Sequence, residues 1–227
     1  MCEEDFNATP GMTELQSRLG YRFSDPVLPR NALTHSSFTY ETKDRSEIHN
    51  ERLEFLGDGI LDFVIAEALY LRVSDKEEGY LSQTRALIVC EASLARVATY
   101  LNLGARMRFG KGESATGGAQ KPSNLANAME ALYAAVYLDG GFEAARRVIL
   151  STLDETIGLA LSGSLVFDYK SKLIECVQSK FKTLDLSCDI IDMQGPVHDR
   201  TFVASVILNG QSLGQGSGKS KKQAEQN

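Results

Sequence analysis

The chain of 227 residues has no apolar run that approaches the roughly 20 residues a membrane-spanning helix needs. Its first residues, MCEEDFNATPG, are acidic and polar, unlike the positive and then apolar profile of a secretory signal. The four cysteines are scattered without C-x-x-C spacing, which is not typical of a disulfide framework or a zinc site. Together these absences predict a protein of the reducing cytoplasm, with no membrane partner.

Basic residues are outnumbered by acidic ones, which gives a formal net charge of -6 and an isoelectric point near 5.2. Taken over the whole chain, this argues against a nucleic-acid partner, since phosphate binding normally leaves a basic footprint. From position 168 onward, however, eight lysines and arginines stand against seven aspartates and glutamates. Lys219, Lys221 and Lys222 form a short basic cluster there. The acidity therefore belongs mostly to the first part of the chain.

Hydrophobic periodicity divides the chain into two parts. Apolar residues recur at spacings of three and four from about residue 13 to residue 160, which predicts an almost entirely helical region. The pattern then changes to one helix, DYKSKLIECVQSKF, followed by alternating segments typical of strands. We expect a flexible tail over 1–12, a helical domain over 13–160, a linker over 161–166 and a small α+β domain over 167–227. The closing helix of that last domain, SKKQAEQN, is expected to be incomplete.

The segment NERLEFLGDGILDF, residues 50–63, crowds carboxylates into a predicted helix. At about 100° per residue, with Glu51 at 0°, Glu54 falls near 300° and Asp58 near 340°, while a stripe of Leu53, Leu56, Ile60 and Val64 gathers near 180°. This predicts one acidic face opposite a core face. Like charges four residues apart destabilise a helix by roughly 0.2–0.5 kcal/mol, so we expect something to offset the repulsion.

Two explanations of the acidic face are open. One is a solvated surface, the common situation for an arbitrary helix. The other is a site for a hard divalent cation such as Mg²⁺, which binds carboxylate oxygens and water. Gly57 and Gly59 flank Asp58 although glycine costs about 1 kcal/mol in a helix interior relative to alanine, and they would permit a close approach of another element. A second helix, NLANAMEA, offers Asn127 and Glu130 on one face.

These motifs carry a family resemblance. NERLEFLGD, together with LGYRFSDPVLPRNALTHSSF, GKGE and LANAMEALYAAVYLDGG, resembles the bacterial ribonuclease III family, which cleaves double-stranded RNA. The resemblance covers about residues 13 to 227. It implies a mainly α fold, with an all-helical endonuclease domain followed by a small double-stranded-RNA-binding domain in the order α-β-β-β-α.

The resemblance also implies site residues and chemistry. Metal ligands fall on Glu54, Asp58, Asn127 and Glu130, and Glu51 joins Asp58 and Glu130 as a catalytic acidic residue. Mg²⁺ is the implied cofactor, with Mn²⁺ as a substitute, and the products carry 5′-phosphate and 3′-hydroxyl ends with a short 3′ overhang. The family works as a homodimer and processes ribosomal and messenger RNA precursors. Phe55 stands where the family inserts a side chain into the partner subunit, the alternative being an ordinary core phenylalanine.

Asn127 departs from the family, which usually has aspartate at this position. An amide oxygen can ligate a cation but supplies no negative charge, so metal affinity should fall. Three interpretations are open: a tolerated natural ligand, a double-stranded-RNA-binding protein with weak or no cleavage, or an engineered change. The sequence does not separate them.

The C-terminal part resembles a double-stranded-RNA-binding domain in three contact regions. Gln178 matches a contact position in the first region, His198 lies in the second, and Lys219, Lys221 and Lys222 form the third, at the start of a predicted helix. Ile174 stands where the family often has glutamine. The stretch GSGKS imitates a phosphate-binding loop, but the full pattern requires glycine at the position of Leu213, so no nucleotide cofactor is expected.

Two other classes fit the sequence less well. A ferritin-type di-metal bundle requires Glu-x-x-His, and the residues three before the histidines are Ala32, Ser46 and Gly195. An acidic scaffold protein explains neither the glycines beside Asp58 nor the lysine cluster. A magnesium-dependent endoribonuclease and an RNA-binding module without cleavage therefore remain.

Overall fold

The computed structural model describes residues 9–42, 48–167, 169–180, 185–196 and 199–227. The chain divides into two compact units, one ending at Leu165 and the other beginning at Val166. In the described residues the first unit is helical, apart from an isolated bridge between Thr34 and Arg108. Its α-helices are α1 (Pro10–Leu19), α2 (Val27–Ala32), α3 (Ser36–Thr42), α4 (Glu51–Arg72), α5 (Glu78–Val89), α6 (Glu91–Tyr100), α7 (Lys111–Ala115), α8 (Pro122–Thr152) and α9 (Asp154–Leu161).

Helix α8 runs through the centre of the first unit. Residues 128–136, except the half-buried Glu130, are buried on every side of the helix, as expected for a helix enclosed by others. The small alanines there let α2, α4 and α6 pack closely against it. At Gly141 the backbone takes a φ of 78°, which kinks the helix and is easily adopted only by glycine. The first half of α8 is therefore a rigid core element that carries Asn127 and Glu130.

The predicted burial of α4 is wrong for its first half. Leu53, Leu56 and Ile60 are only partly buried, whereas the buried stripe runs through Gly57, Leu61 and residues 64, 65, 68 and 69. This stripe lies near 300° on the helical wheel, the direction of Glu54. The carboxylates and the core residues of α4 therefore share the face that packs on α8, instead of lying on opposite faces.

Two polar stretches without clear hydrophobic periodicity contain short helices. Helix α3 covers the first part of FTYETKDRSE, and α7 and a turn of 3₁₀ helix at Gly118–Gln120 lie within the glycine-rich stretch before α8. Ser123 and Asn124 are residue types that often cap helices, but Lys121 is the capping position of α8 and Pro122 takes the first helical position. Proline suits that position, since its missing N–H would have no partner inside the helix.

The second unit contains α10 (Tyr169–Lys180), β1 (Leu186–Gln194), β2 (Thr201–Leu208), β3 (Gln211–Gly218) and α11 (Lys221–Gln226). The strands form an antiparallel sheet in the order β1-β2-β3. A methyl group at Gly216 would lie 2.6 Å from the Ala224 carbonyl oxygen, and one at Gly218 would lie 2.7 Å from the Ala224 nitrogen. The glycines of GSGKS thus let α11 lie directly on β3. The predicted fold class, a helical domain followed by a small α+β domain, is confirmed.

Candidate active site and RNA-contact residues

Helices α4 and α8 meet at Gly57 and Glu130. A methyl group on Gly57 would lie 1.9 Å from the carbonyl oxygen of Glu130, so only glycine allows the two backbones to come this close. The acidic and amide side chains at this contact and one turn before it are consequently brought together. They are Glu54 and Asp58 on α4, and Asn127 and Glu130 on α8.

The electrostatics of Glu130 show how close these carboxylates lie. Its pKa rises to about 7, first because the side chain is more than half buried and then because the charges of Asp58, Glu54 and Asp62 repel its ionised form. Acidic groups from α4 therefore converge on one carboxyl group of α8, in a partly desolvated place.

Glu54 and Asn127 form the second contact across the two helices. Burial, followed by the charge of Glu51, raises the pKa of Glu54, and a hydrogen bond from the Asn127 side chain partly offsets this. An ionised carboxylate can accept a hydrogen bond but cannot donate one, so the amide nitrogen of Asn127 is the donor. The amide oxygen of Asn127 takes no part in this bond.

Glu51 and Asp62 extend the acidic stripe at its two ends. Glu51 is exposed in the first turn of α4, and one of its carboxylate oxygens lies 3.7 Å from His49 Nδ1. Asp62 adds to the repulsion at Glu130, and one of its oxygens lies 3.9 Å from Arg85 Nε. Asp62 falls near 20° on the same helical wheel, but its influence on Glu130 depends on which face of α4 meets α8.

The donor set suits a hard cation, although the side chains are not yet arranged around one. Within the described ranges, no three histidines, cysteines, aspartates or glutamates already form a cluster that could hold a metal ion. Glu54 and Glu130 are long, partly exposed side chains that can change rotamer at small cost. Carboxylate oxygens and one amide oxygen are ligands that Mg²⁺ accepts, with water completing its octahedron. The residues therefore fit the ion chemically, with a rearrangement needed on binding.

Phe55 lies on the outside of this unit. Its side chain is 83% exposed, so it is not a core phenylalanine of this chain. Phe63, two turns further along α4, is also largely exposed and stacks edge-on against Phe142 of α8, with ring centroids 5.7 Å apart. Exposed aromatic side chains on one helix are typical of surfaces that other proteins cover.

The predicted RNA-contact residues lie in the second unit. Gln178 is exposed on α10, and Lys221 and Lys222 are exposed in the first turn of α11, which Ser220 caps through its side chain. Lys219 precedes the cap, and its Nζ donates to Asp199 Oδ1 at 2.7 Å. His198 lies outside the described residues. The lysine cluster therefore adjoins the segment that follows β1, with one of its charges paired.

Comparison with known proteins finds a matching family for each of the two units. A family model described as Ribonuclease-III-like matches residues 25–156, and one described as a double-stranded RNA binding motif matches residues 169–227. Ribonuclease 3 of Caldanaerobacter subterraneus subsp. tengcongensis is 50% identical over 215 residues, which cover 95% of this chain and 93% of that protein. The chain belongs to the ribonuclease III family. It is accordingly a nuclease of the hydrolase class, a double-stranded-RNA endonuclease, and the resemblance inferred from its motifs is confirmed.

Other members of the ribonuclease III family agree with this assignment. Ribonuclease 3 of Desulforamulus reducens is 47% identical over 93% of this chain and 86% of that protein. The crystal structure of the ribonuclease III nuclease domain from Campylobacter jejuni is 40% identical, with a TM-score of 0.60 over 65% of this chain and 96% of that one. Another structure of that domain, with a TM-score of 0.58, 42% identity and coverage of 63% of this chain and 95% of that one, is described as flexible in the region involved in dimer formation. None of the described helices of this chain is long and apolar enough to cross a membrane.

Proposed function

We propose that this ribonuclease III enzyme hydrolyses double-stranded RNA at the α4–α8 contact, with Mg²⁺ held by Glu54, Asp58, Asn127 and Glu130 and with Mn²⁺ as a substitute. The observation that carries the proposal is the meeting of Gly57 with Glu130, which brings these four side chains together. The raised pKa values of Glu54 and Glu130 support it, because a cation is what would relieve the crowding of their charges.

Each residue of the site has a separate task in this proposal. Glu54, Asp58 and Glu130 supply charged oxygens, and Asn127 supplies a neutral amide oxygen from the side that does not contact Glu54. The exposed carboxylate of Glu51 stands at the open end of the stripe, where it adds negative charge next to the incoming backbone. A bound Mg²⁺ would supply an activated water for attack on the phosphodiester and positive charge beside the leaving 3′ oxygen. The products then carry 5′-phosphate and 3′-hydroxyl ends.

Two copies of the chain are needed to cut both strands. We propose a homodimer in which the exposed Phe55 of each subunit packs into the other, which would remove an 83% exposed phenylalanine from water. The two sites then cleave opposite strands with a short 3′ overhang. The similar nuclease domain from Campylobacter jejuni has a region involved in dimer formation, and this supports the proposal of a homodimer.

The second unit holds the duplex. We assign Gln178, His198, Lys219, Lys221 and Lys222 as RNA-contact residues. Gln178 and His198 are assigned from the resemblance to a double-stranded-RNA-binding domain, and the lysines because ammonium groups and backbone N–H groups at the start of α11 both suit phosphates. The substrates that follow from the family are ribosomal and messenger RNA precursors. A second candidate function, binding of duplex RNA with weak or no cleavage, is favoured by one observation, the missing negative charge at Asn127.

A cleavage assay on a long RNA duplex separates the two functions. We expect the wild-type protein to cut the duplex with Mg²⁺ and only to bind it with Ca²⁺, whose larger and looser coordination shell positions a water poorly. Glu130→Gln should bind as tightly as wild type but not cut. Products should have 5′-phosphate ends and a short 3′ overhang. Binding without cutting in Mg²⁺ and in Mn²⁺ would establish the second function instead.

A further inference from the structure

Helix α7 is held at its beginning by a residue from α3. The backbone N–H of Lys111 donates to Glu41 Oε2 at 2.7 Å, and the N–H of Gly112 donates to Glu41 Oε1 at 3.2 Å. The preceding N–H, that of Gly110, donates to Ser37 Oγ at 3.0 Å. The first N–H groups of a helix have no partner within it, so this carboxylate satisfies two of them.

A second carboxylate, that of Glu113 in the middle of α7, points toward α8. Glu113 Oε1 accepts from Lys121 Nζ and from Asn124 Nδ2, both at 2.8 Å. Asn124 is buried in the first turn of α8 and also donates to the Gly118 carbonyl at 3.0 Å. Lys121 is the capping residue of α8. Glu113 therefore contacts the capping residue of α8 and a buried residue of its first turn.

Two glycines show that these contacts are tight. A methyl group at Gly110 would lie 2.5 Å from Glu41 Oε1 and 2.7 Å from the Ser37 carbonyl oxygen. A methyl group at Gly118 would lie 2.7 Å from Glu113 Cγ. At both glycines the backbone lies so close to a glutamate side chain that an added methyl group would collide with it. The backbone hydrogen bonds from Lys111 and Gly112 also lower the pKa of Glu41, because they stabilise its ionised form.

Helix α8 connects the contacts of Glu113 to the proposed metal site. Asn124 and Asn127 are three residues apart and lie one above the other on the helix, with Glu130 one turn further. A movement of the first turn of α8 along or about its axis would displace Asn127 directly. Such a movement would displace Glu130 less, because its backbone carbonyl is packed against Gly57.

We propose that Glu41 is a positioning residue, which sets the first turn of α8 through α7 and Glu113 and thereby aligns Asn127 with Glu54 for metal binding. This inference rests on the proposed function of the α4–α8 site. It assigns Glu41 no contact with metal or substrate. Loss of the Glu41 carboxylate would let α7 shift and would leave Asn127, the one neutral ligand, poorly aligned.

The test uses the full chain with Glu41→Ala, Glu41→Gln and a matched control, Glu143→Gln, which removes an exposed carboxylate beyond the kink of α8. We measure Mn²⁺ binding by the loss of the free-ion paramagnetic signal, the Mg²⁺ concentration for half-maximal cleavage, duplex-RNA affinity in Ca²⁺, and the melting temperature. Outer residues that orient metal ligands typically change metal affinity by roughly 10-fold or more. We expect Glu41→Ala to weaken Mn²⁺ binding and raise the Mg²⁺ requirement by about that factor.

Glu41→Gln keeps one acceptor oxygen and should fall between wild type and Glu41→Ala, while Glu143→Gln should match wild type. Cleavage by Glu41→Ala at saturating Mg²⁺ and its RNA affinity in Ca²⁺ should stay near wild type. An unchanged Mn²⁺ affinity, or an equal loss of RNA affinity in Ca²⁺, would overturn the inference. A wild-type protein that binds Mn²⁺ without cutting RNA would count against the proposed function alone. A wild-type protein that binds no Mn²⁺ would overturn both.

Discussion

Gly57 of α4 lies directly against the backbone carbonyl of Glu130 on α8, at a distance that excludes even a methyl group. The acidic turns of α4 and α8 would repel each other by charge. They are held together because Leu61, Val64, Ile65 and Leu69 are buried further along α4. The hydrophobic half of the helix therefore holds the acidic half in place. Such a charged contact can be kept for function although it costs stability.

Gly57→Ala should separate the two helices. The new methyl group would lie 1.9 Å from the Glu130 oxygen, and backbone atoms cannot yield as a flexible side chain does, so we expect a loss of about 2 kcal/mol or more in unfolding free energy and loss of cleavage. Gly59→Ala is the matched control, because nothing lies within 4 Å of its added methyl group. It should stabilise the protein by roughly 0.5–1 kcal/mol. Chemical denaturation measures both, and equal effects at the two positions would contradict the close contact.

The raised pKa of Glu130 predicts a pH-dependent stability without metal. Because its pKa is about 7 in the folded chain against 4.5 in the reference state, the folded protein binds an extra proton between these values. Its contribution to stability is complete below about pH 4.5 and is lost as pH rises through about 7. Glu130→Gln, which cannot ionise, should match wild type near pH 5 and be more stable at pH 8 by on the order of 1 kcal/mol after solvent screening.

Melting temperatures in EDTA across this pH range check the prediction, with an expected gain of roughly 2–4 °C for Glu130→Gln at pH 8. Comparing the two proteins cancels the other titrating groups. Parallel curves for wild type and variant would show that Glu130 ionises normally.

Phe55→Ala should weaken the proposed dimer. The side chain is 83% exposed in one chain, so its loss should leave the fold intact while removing an aromatic contact from the interface. A central aromatic contact is typically worth 2 kcal/mol or more, which corresponds to roughly a 30-fold rise in the dimer dissociation constant. Sedimentation equilibrium measures this constant. Tyr100→Ala, at an exposed position on another helix, is the control, and a dimer that tolerates both changes equally would place the interface elsewhere.

Asp199→Asn should strengthen duplex binding. Asp199 pairs with Lys219 at 2.7 Å in an exposed ion pair, so its removal frees one ammonium group and deletes one negative charge beside the lysine cluster. We expect affinity to rise by roughly two- to fivefold at low salt and the salt dependence of binding to steepen by up to about one ion. Asp192→Asn is the control, since that carboxylate accepts from Met193 N and Gln194 Nε2 and not from a lysine. Equal affinities for the two variants would show that Lys219 does not contact RNA.

The sequence predicts most of this architecture and less of the site's geometry. Periodicity gave the long helices, because the core-facing positions of α8 recur at helical spacing over many turns. It misassigned the buried face of α4, because Glu54 and Asp58 take part in the helix contact and a rule that places charges outside cannot find them there. Helix α7 was missed within a glycine-rich stretch, where local propensity is weak.

The contact between Glu41 and Lys111 joins residues 70 positions apart through backbone N–H groups. Backbone groups leave no mark in the sequence, so no pattern could have predicted this contact. Carboxylates at helical spacing marked the acidic face in the sequence, and the family resemblance then named the candidate metal ligands, which stay a prediction. Residues that position them act through packing and are visible only in three dimensions.

The central claim is that side chains of α4 and α8 share one divalent ion. A Mn²⁺ titration in the presence of duplex RNA, followed by the paramagnetic signal of the free ion, tests this most directly. We predict saturable binding by wild type, loss of that binding in Glu130→Gln, and tighter binding in Asn127→Asp, with a matching fall in the Mg²⁺ needed for half-maximal cleavage, because aspartate restores a charged ligand. Identical Mn²⁺ binding by all three proteins would contradict the claim.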